Sequence, residues 1–337
     1  MIFVTGGTGF LGRHLLAQLC VAGYAVRVLT RSPHQYDWLR QYPNLDIVKG
    51  DVAKNEGLDA IAGCDYVIHA AGLFSMWQGA GDFEATNTIG TQNLLASAIK
   101  HQVKRFIHVS TIAVIGDPQT NLIIDETHPP RPADHYQSSK LQAEQFVRQA
   151  HEIADLETII LRPGAFYGPL GEYAFNRLFF TDPMRGLIVE PDGGKYLTFP
   201  VYIADVAQGI ILALDKGRSG EIYNICGDSI THHEVYDIVC QEAALNLPRL
   251  YLPNRLGIIG ARFLTTLSRI TRREPFYPLG LRSYVFNDWH VSSKKAQSEL
   301  GFQPTDFRLG AKHTIAWYRA GKPNYLPELD CDDSIHL

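Results

Sequence analysis

The sequence predicts an α/β fold, a doubly wound parallel sheet with a smaller C-terminal lobe, and three observations carry that prediction. Short β-branched or apolar runs alternate with helical stretches through the first half. A glycine-rich turn lies between the first strand and the first helix, and after Pro163 the alternation gives way to frequent glycine and proline. Ile2–Val4, Ala25–Leu29, Asp46–Val48, Tyr66–His69, Arg105–Val109 and Thr158–Leu161 read as strands. Between them, Phe10 to Ala22 carries Phe10, Leu11, Leu15, Leu16 and Leu19 at helical spacing, and Thr86 to Ile99 repeats the pattern, so both helices should pack on the sheet. Gly168, Pro169, Gly171, Pro183, Gly186, Pro191, Gly193 and Gly194 mark the irregular half, with one more strand-like run at Glu221–Ile225. The expected division is a first domain over residues 1–165 with a strand returning near 201–226, a second lobe over 166–325, and a loose acidic tail over 326–337.

A chain of 337 residues with 45% hydrophobic and 20% charged content can bury a core of that size. Its formal net charge of −4 gives no electrostatic reason to expect nucleic acid or an anionic membrane as partner. The five cysteines (Cys20, Cys64, Cys226, Cys240, Cys331) are scattered and form no C-x-x-C pair, which fits a reducing cytoplasm and neither a disulfide framework nor a zinc site. The chain runs from Met1 almost at once into the glycine turn, leaving no room for a basic leader, and holds no apolar run able to span a bilayer. Thirteen histidines include one adjacent pair, His232 and His233, and no H-E-x-x-H, so no metal is expected.

The turn reads Thr5-Gly6-Gly7-Thr8-Gly9-Phe10-Leu11-Gly12 and satisfies both G-x-x-G-x-x-G and G-x-G-x-x-G. Between a strand and a helix, such glycines let the backbone approach a pyrophosphate, while the helix N-terminus offers free N–H groups and a partial positive charge. This is the Rossmann-type arrangement, and it points to a dinucleotide. The second strand ends Leu29-Thr30-Arg31-Ser32, with no carboxylate to hold a ribose 2′-hydroxyl and with Arg31 able to pair with a 2′-phosphate, so NADP is favoured over NAD. The alternative for Arg31 is a solvated surface residue. Asp51, followed by Val52, is placed either to accept from an adenine amino group or to cap a turn. Ala70, Ala71 and Gly72 end the fourth strand with the small residues that a backbone lying on a cofactor requires, and His69 reads as packing.

Tyr136 and Lys140 stand four apart at the start of a helical stretch and share one face. Moving hydride at a carbonyl carbon requires a partner for the proton on oxygen. A nearby ammonium favours the phenolate of a tyrosine, so Lys140 should lower Tyr136. The Thr111 hydroxyl, after the fifth strand, can hold the substrate oxygen.

With these residues in this order, the sequence resembles the extended short-chain dehydrogenases/reductases nearly to Tyr318. The family's T-G-x-x-G-x-x-G matches Thr5 to Gly12, its S/T-x-x-V-x-G matches Thr111 to Gly116, and N-x-x-G-T matches Asn87 to Thr91. The segment R-P-x-x-x-Y-G-P matches Arg162 to Pro169, which the resemblance lays against the nicotinamide through Pro163 and Phe166. The resemblance also implies that Asn87, Tyr136 and Lys140 contact the cofactor, and that two copies pair through the helices containing Asn87–Ile99 and Tyr136–Val147. Ile115 departs from the tyrosine that many members carry.

Within that family, nucleotide-sugar enzymes carry an arginine before the Val201-Tyr202-Ile203-Ala204-Asp205 stretch, where this chain has Thr198, and an R-P-G-D pattern, where it has Arg272-Arg273-Glu274-Pro275. Losing the cations that would neutralise a diphosphate weighs against such substrates. The apolar run Leu256 to Leu267 could line a greasy cleft or form a core helix. Together with Met76-Trp77 and Val291 to Ala296, it resembles the 3β-hydroxysteroid and sterol-4-carboxylate dehydrogenase branch and its bacterial relatives that reduce 2-alkyl-3-oxoalkanoates. The expectation is therefore an oxidoreductase for an apolar 3-hydroxy/3-oxo compound. The alternatives are a nucleotide-sugar epimerase or dehydratase and a non-catalytic dinucleotide sensor. Lys195, Tyr202 and Asp205 are expected to be structural.

Overall fold

The computed structural model describes residues 1–75, 80–118, 122–253 and 282–324, together with 256–257, 259–260, 262, 264 and 266. Met76-Trp77, Arg272 to Pro275, part of the run Leu256 to Leu267 and the acidic tail lie outside the described residues. Seven parallel strands form the main sheet: β1 (Ile2–Thr5), β2 (Val26–Thr30), β3 (Leu45–Lys49), β4 (Tyr66–His69), β5 (Arg105–Val109), β6 (Glu157–Pro163) and β11 (Ile222–Ile225), in the spatial order β11-β6-β5-β4-β1-β2-β3. The order reverses at β1, which pairs with β2 on one side and β4 on the other. In such a sheet the crevice beyond the carboxyl ends at this switch point is where a ligand is received.

The helices follow the spacing of their apolar residues. In α1 (Phe10–Val21), Leu11, Leu15, Leu16 and Leu19 are buried against the sheet. The short α2 (Ala80–Phe83) leads through a wide π-type turn, Glu84–Ile89, into α3 (Gly90–Lys100), so the helix expected over Thr86 to Ile99 is built from two kinds of turn. The 19-residue α4 (His135–Ile153) is capped by Asp134, whose carboxylate accepts from the Gln137 N–H at 2.7 Å.

Beyond β6 the chain forms small pairs rather than one sheet. Strand β7 (Ala165–Tyr167) pairs with β10 (Pro200–Tyr202), β8 (Ile188–Pro191) with β13 (Arg249–Leu252), and β9 (Leu197–Thr198) with β12 (Ile230–Thr231). The short α5 (Asp182–Met184) and the longer α6 (Ile203–Lys216) and α7 (His232–Glu242) complete this half, with the helix Phe307–Arg319 near its end. Helix α6, which the sequence reading missed, buries Ile203, Val206, Ala207 and Ile210 and packs on α1. Aromatic rings fill the interior here: Tyr167 stacks on Phe180 at 5.8 Å and meets Phe307 at 4.9 Å. Asp205 accepts from the Thr305 N–H and hydroxyl, both at 2.7 Å, fastening the C-terminal segment. Buried Tyr202 packs on Tyr167, and exposed Lys195 lies over the Tyr196 ring.

Candidate active site

The glycine turn sits at the carboxyl end of β1, and its glycines are dictated by space. A Cβ on Gly6, whose φ is +76°, would lie 2.5 Å from the Ala70 carbonyl carbon and the Ala71 nitrogen. One on Gly12 would lie 2.1 Å from the Gly6 carbonyl oxygen. The turn is thus pressed against Ala70 and Ala71 at the end of β4. Gly7 is held between Val28 and Leu16, whereas Gly9 is exposed and caps α1 with no side chain. The N–H groups of Phe10, Leu11 and Gly12 therefore begin α1 without intrahelical acceptors, a cradle that fits the pyrophosphate of a dinucleotide. Thr8 is half-buried in the same turn, and the Phe10 ring meets Phe166 at 5.7 Å, which carries the turn across to the segment after Pro163.

Arg31 is exposed immediately after β2. Asp51 caps the short turn Val52–Lys54, accepting from the Ala53 N–H at 3.0 Å, so the capping role is realised at that residue. Val52 is buried, and its carbonyl accepts from the Asn93 side chain at 2.8 Å. His69 is more than packing. It is hydrogen-bonded to Thr5 at 2.7 Å and Thr91 at 2.9 Å, and burial pushes its pKa down to about 3, which keeps the ring neutral. Asn87 accepts from the Leu73 N–H at 2.7 Å and donates to the Leu73 carbonyl and the Ser139 hydroxyl, both at 3.0 Å. Its amide ties the segment that follows Gly72 to α4.

Of the three candidate proton-transfer residues, Thr111 and Tyr136 are in contact and Lys140 stands one turn beyond Tyr136 on α4. Thr111 caps the turn Ile112–Ile115 through its own hydroxyl, which accepts from the Ala113 N–H at 3.2 Å, and is hydrogen-bonded to Tyr136. The Lys140 ammonium donates to the Val109 carbonyl at 2.8 Å and lies 3.5 Å from His108 Nε2. Burial pulls the Lys140 pKa down to about 8, opposed by the Glu144 carboxylate. Tyr136 corrects one expectation. Burial drives its phenol well above the ordinary value and is the dominant effect, Thr111 opposes the rise and Asp134 adds to it, while the Lys140 ammonium donates to the Val109 carbonyl at the end of β5.

Several site residues were not legible in the sequence. Phe74 meets the Tyr136 ring edge-on at 4.9 Å, and Phe83 lies at 5.9 Å. Tyr284 comes from the short helix Arg282–Val285, receives a long hydrogen bond from Gln137 at 3.5 Å and interacts electrostatically with Tyr136. Ile115 sits in an apolar cluster with Ile112, Ile124, Phe199 and Trp289. Glu144 did carry a signal, since it stands one turn beyond Lys140 on the same helical face.

Comparison with known proteins agrees with this site. Residues 2–226 match the model of the NAD-dependent epimerase/dehydratase family. The chain is 37% identical over 226 residues to 4-hydroxy-2-methyl-3-oxo-4-farnesyl-3,4-dihydroquinoline-1-oxide ketoreductase of Stigmatella aurantiaca, a match covering 66% of each chain. It is 29% identical to a dTDP-glucose 4,6-dehydratase of an Actinoplanes species, over 95% of this chain and 98% of the relative. To the 3-beta-hydroxysteroid dehydrogenase of Mycolicibacterium neoaurum it is 28% identical, over 90% and 87%. Among solved structures, UDP-glucose 4-epimerase of Thermotoga maritima, crystallised with UDP-glucose, superposes with a TM-score of 0.78 at 25% identity, covering 95% and 99% of the two chains. The glycine cradle, the Thr111, Tyr136 and Lys140 set and the family match converge: the chain belongs to the NAD-dependent epimerase/dehydratase family and is an oxidoreductase of the extended short-chain dehydrogenase/reductase type.

Proposed function

We propose that this enzyme interconverts a secondary alcohol and a ketone on an apolar 3-hydroxy/3-oxo substrate, sterol-like or an alkyl keto acid, and prefers NADP to NAD. The observation that carries the reading is the setting of Tyr136: its hydroxyl is hydrogen-bonded to Thr111 while Phe74 and Phe83 wall its ring. An apolar body would pack on those rings and present its oxygen to the two hydroxyls. The nicotinamide, when bound, takes or supplies the hydride at the carbinol carbon. In the reductive direction Tyr136 gives its proton to the developing alkoxide, Thr111 orients that oxygen, and Lys140, one helical turn from Tyr136, holds a positive charge on the same helix. The raised Tyr136 pKa suits a group that must be protonated before it acts. The names of the ketoreductase and steroid dehydrogenase relatives support an apolar ketone, and exposed Arg31 supports a 2′-phosphate.

A nucleotide sugar is the second reading, favoured by the dehydratase and epimerase relatives. Against it, Thr198, near the position of the diphosphate-binding arginine, is buried within the β9–β12 pair. Calorimetric titration of NADP⁺ and NAD⁺ into wild type and Arg31→Ala, followed by turnover of lipophilic 3-oxo compounds with NADPH, tests the proposal. Tighter NADP⁺ binding that Arg31→Ala erases, with ketone turnover that Tyr136→Phe removes, is expected. Preference for NAD⁺, no net NADPH consumption and conversion of a sugar nucleotide would replace this reading with the second.

A further inference from the structure

A buried ion pair lies beneath the proton-transfer residues. The side chains of Glu144 and Arg162 are 0% and 1% exposed. Arg162 forks onto the carboxylate, donating from Nε to Oε1 at 2.9 Å and from Nη2 to Oε2 at 2.6 Å, and the Ser110 hydroxyl donates to the same Oε1 at 2.6 Å. Each member adjoins a different part of the site. Glu144 is one turn beyond Lys140 on α4, Arg162 precedes Pro163 at the end of β6, and Ser110 precedes Thr111 after β5. Taking two charges out of water is costly, and a pair of apolar residues would fill the space without that cost, so the pair needs a reason beyond packing. The groups around Lys140 supply one. From β4 and β5 it faces His69 and His108, both held neutral by burial, and on its own helix it has Tyr136 before it and Glu144 after it, with Arg162 behind. Among these described neighbours Glu144 is the carboxylate that supports the buried ammonium.

We propose that Glu144 and Arg162 are positioning residues for proton transfer: the pair locks α4 to β5 and β6 and sets the net charge that Lys140 feels. The proposal rests on the reading of Tyr136 and Lys140 as the proton-transfer pair. It predicts opposite effects for the two halves of the pair. Glu144→Gln leaves the Arg162 cation uncompensated and further disfavours the Lys140 ammonium, whereas Arg162→Met leaves a bare carboxylate and favours it.

The test is the titration of the Lys140 side chain by NMR in the full chain labelled with 13C-lysine, assigned through Lys140→Arg, alongside the pH profile of kcat/KM. From about 8 in the wild type, the midpoint is expected to move down in Glu144→Gln and up in Arg162→Met, each by on the order of one pH unit, and to return in the double variant. The basic limb of kcat/KM should follow. Unmoved midpoints, or shifts of the same sign in both single variants, would overturn the proposal. Arg162→Lys keeps the charge and gives up the fork, so its midpoint should stay while turnover falls roughly tenfold or more. Unchanged turnover in that variant sinks the positioning claim even if the neutral variants do not fold. Full activity in Tyr136→Phe would instead defeat the underlying reading, whereas lost activity there with unmoved Lys140 midpoints defeats this proposal alone.

Discussion

The Lys140 ammonium donates to the Val109 carbonyl oxygen at 2.8 Å, which ties the cation of the site to the last residue of β5. That tie holds a charged group in an apolar setting, where burial lowers its pKa to about 8. Because the shift is downward, the ammonium is lost over a pH range in which an exposed lysine would keep it. We expect kcat/KM to decline as pH rises through about 8, and Lys140→Met to remove that limb along with most of the activity. A wild-type profile flat to pH 10 would refute the assignment.

Tyr136→Phe keeps the ring that packs on Phe74 and Phe83 and deletes the hydroxyl that meets Thr111. Turnover should fall about 10²–10⁴-fold with the melting temperature and cofactor affinity nearly unchanged. Activity within a few-fold of wild type in a steady-state assay would exclude Tyr136 as the proton donor.

Gly12→Ala would put a methyl group 2.1 Å from the Gly6 carbonyl oxygen, which the turn cannot yield without opening the cradle. Dinucleotide affinity measured by calorimetry should drop by about a hundredfold or more. Gly81→Ala, where an added Cβ meets nothing within 4 Å, is the control and should bind normally.

Acid should unfold the protein through its buried imidazoles. Burial lowers the pKa of His14 to about 4, of His69 to about 3 and of His232 to about 4, from an ordinary 6.5. Between those values and 6.5 the unfolded chain binds the protons and the folded one does not, so stability falls as pH drops through that window. Each group contributes a loss of about 2 kcal/mol at pH 5. Urea melts at pH 7.5 and pH 5 measure it, and His232→Phe should reduce the difference by about a third of what the three histidines supply. Equal stability at the two pH values would contradict the account.

The first half of the fold was open to reading because its elements are local. Tyr66–His69 and Arg105–Val109 match their strands to the residue, and Phe10 to Ala22 misses by one residue at the helix C-terminus. Helix α6 escaped notice because Ile203 to Lys216 follows directly on a strand, although Asp205 in its first turn, Lys216 in its last and Gly217 at its C-cap are signals of a helix. Phe74, Phe83 and Tyr284 could not have been foreseen, because what matters in them is proximity to Tyr136, and nothing in their sequence neighbourhoods encodes that contact.

By itself the sequence determined the sheet and the glycine cradle and singled out Thr111, Tyr136 and Lys140 as candidates, because backbone geometry and spacing within one strand or helix are short-range properties. Only the tertiary structure decided what those side chains experience. The sequence suggested a Tyr136 acidified by Lys140. The fold instead turns the ammonium to Val109, buries the phenol among aromatic rings and places the Glu144–Arg162 pair beneath them. Desolvation and charge–charge interaction depend on distances across the packed core, and those are fixed only when β4, β5, β6 and α4 come together.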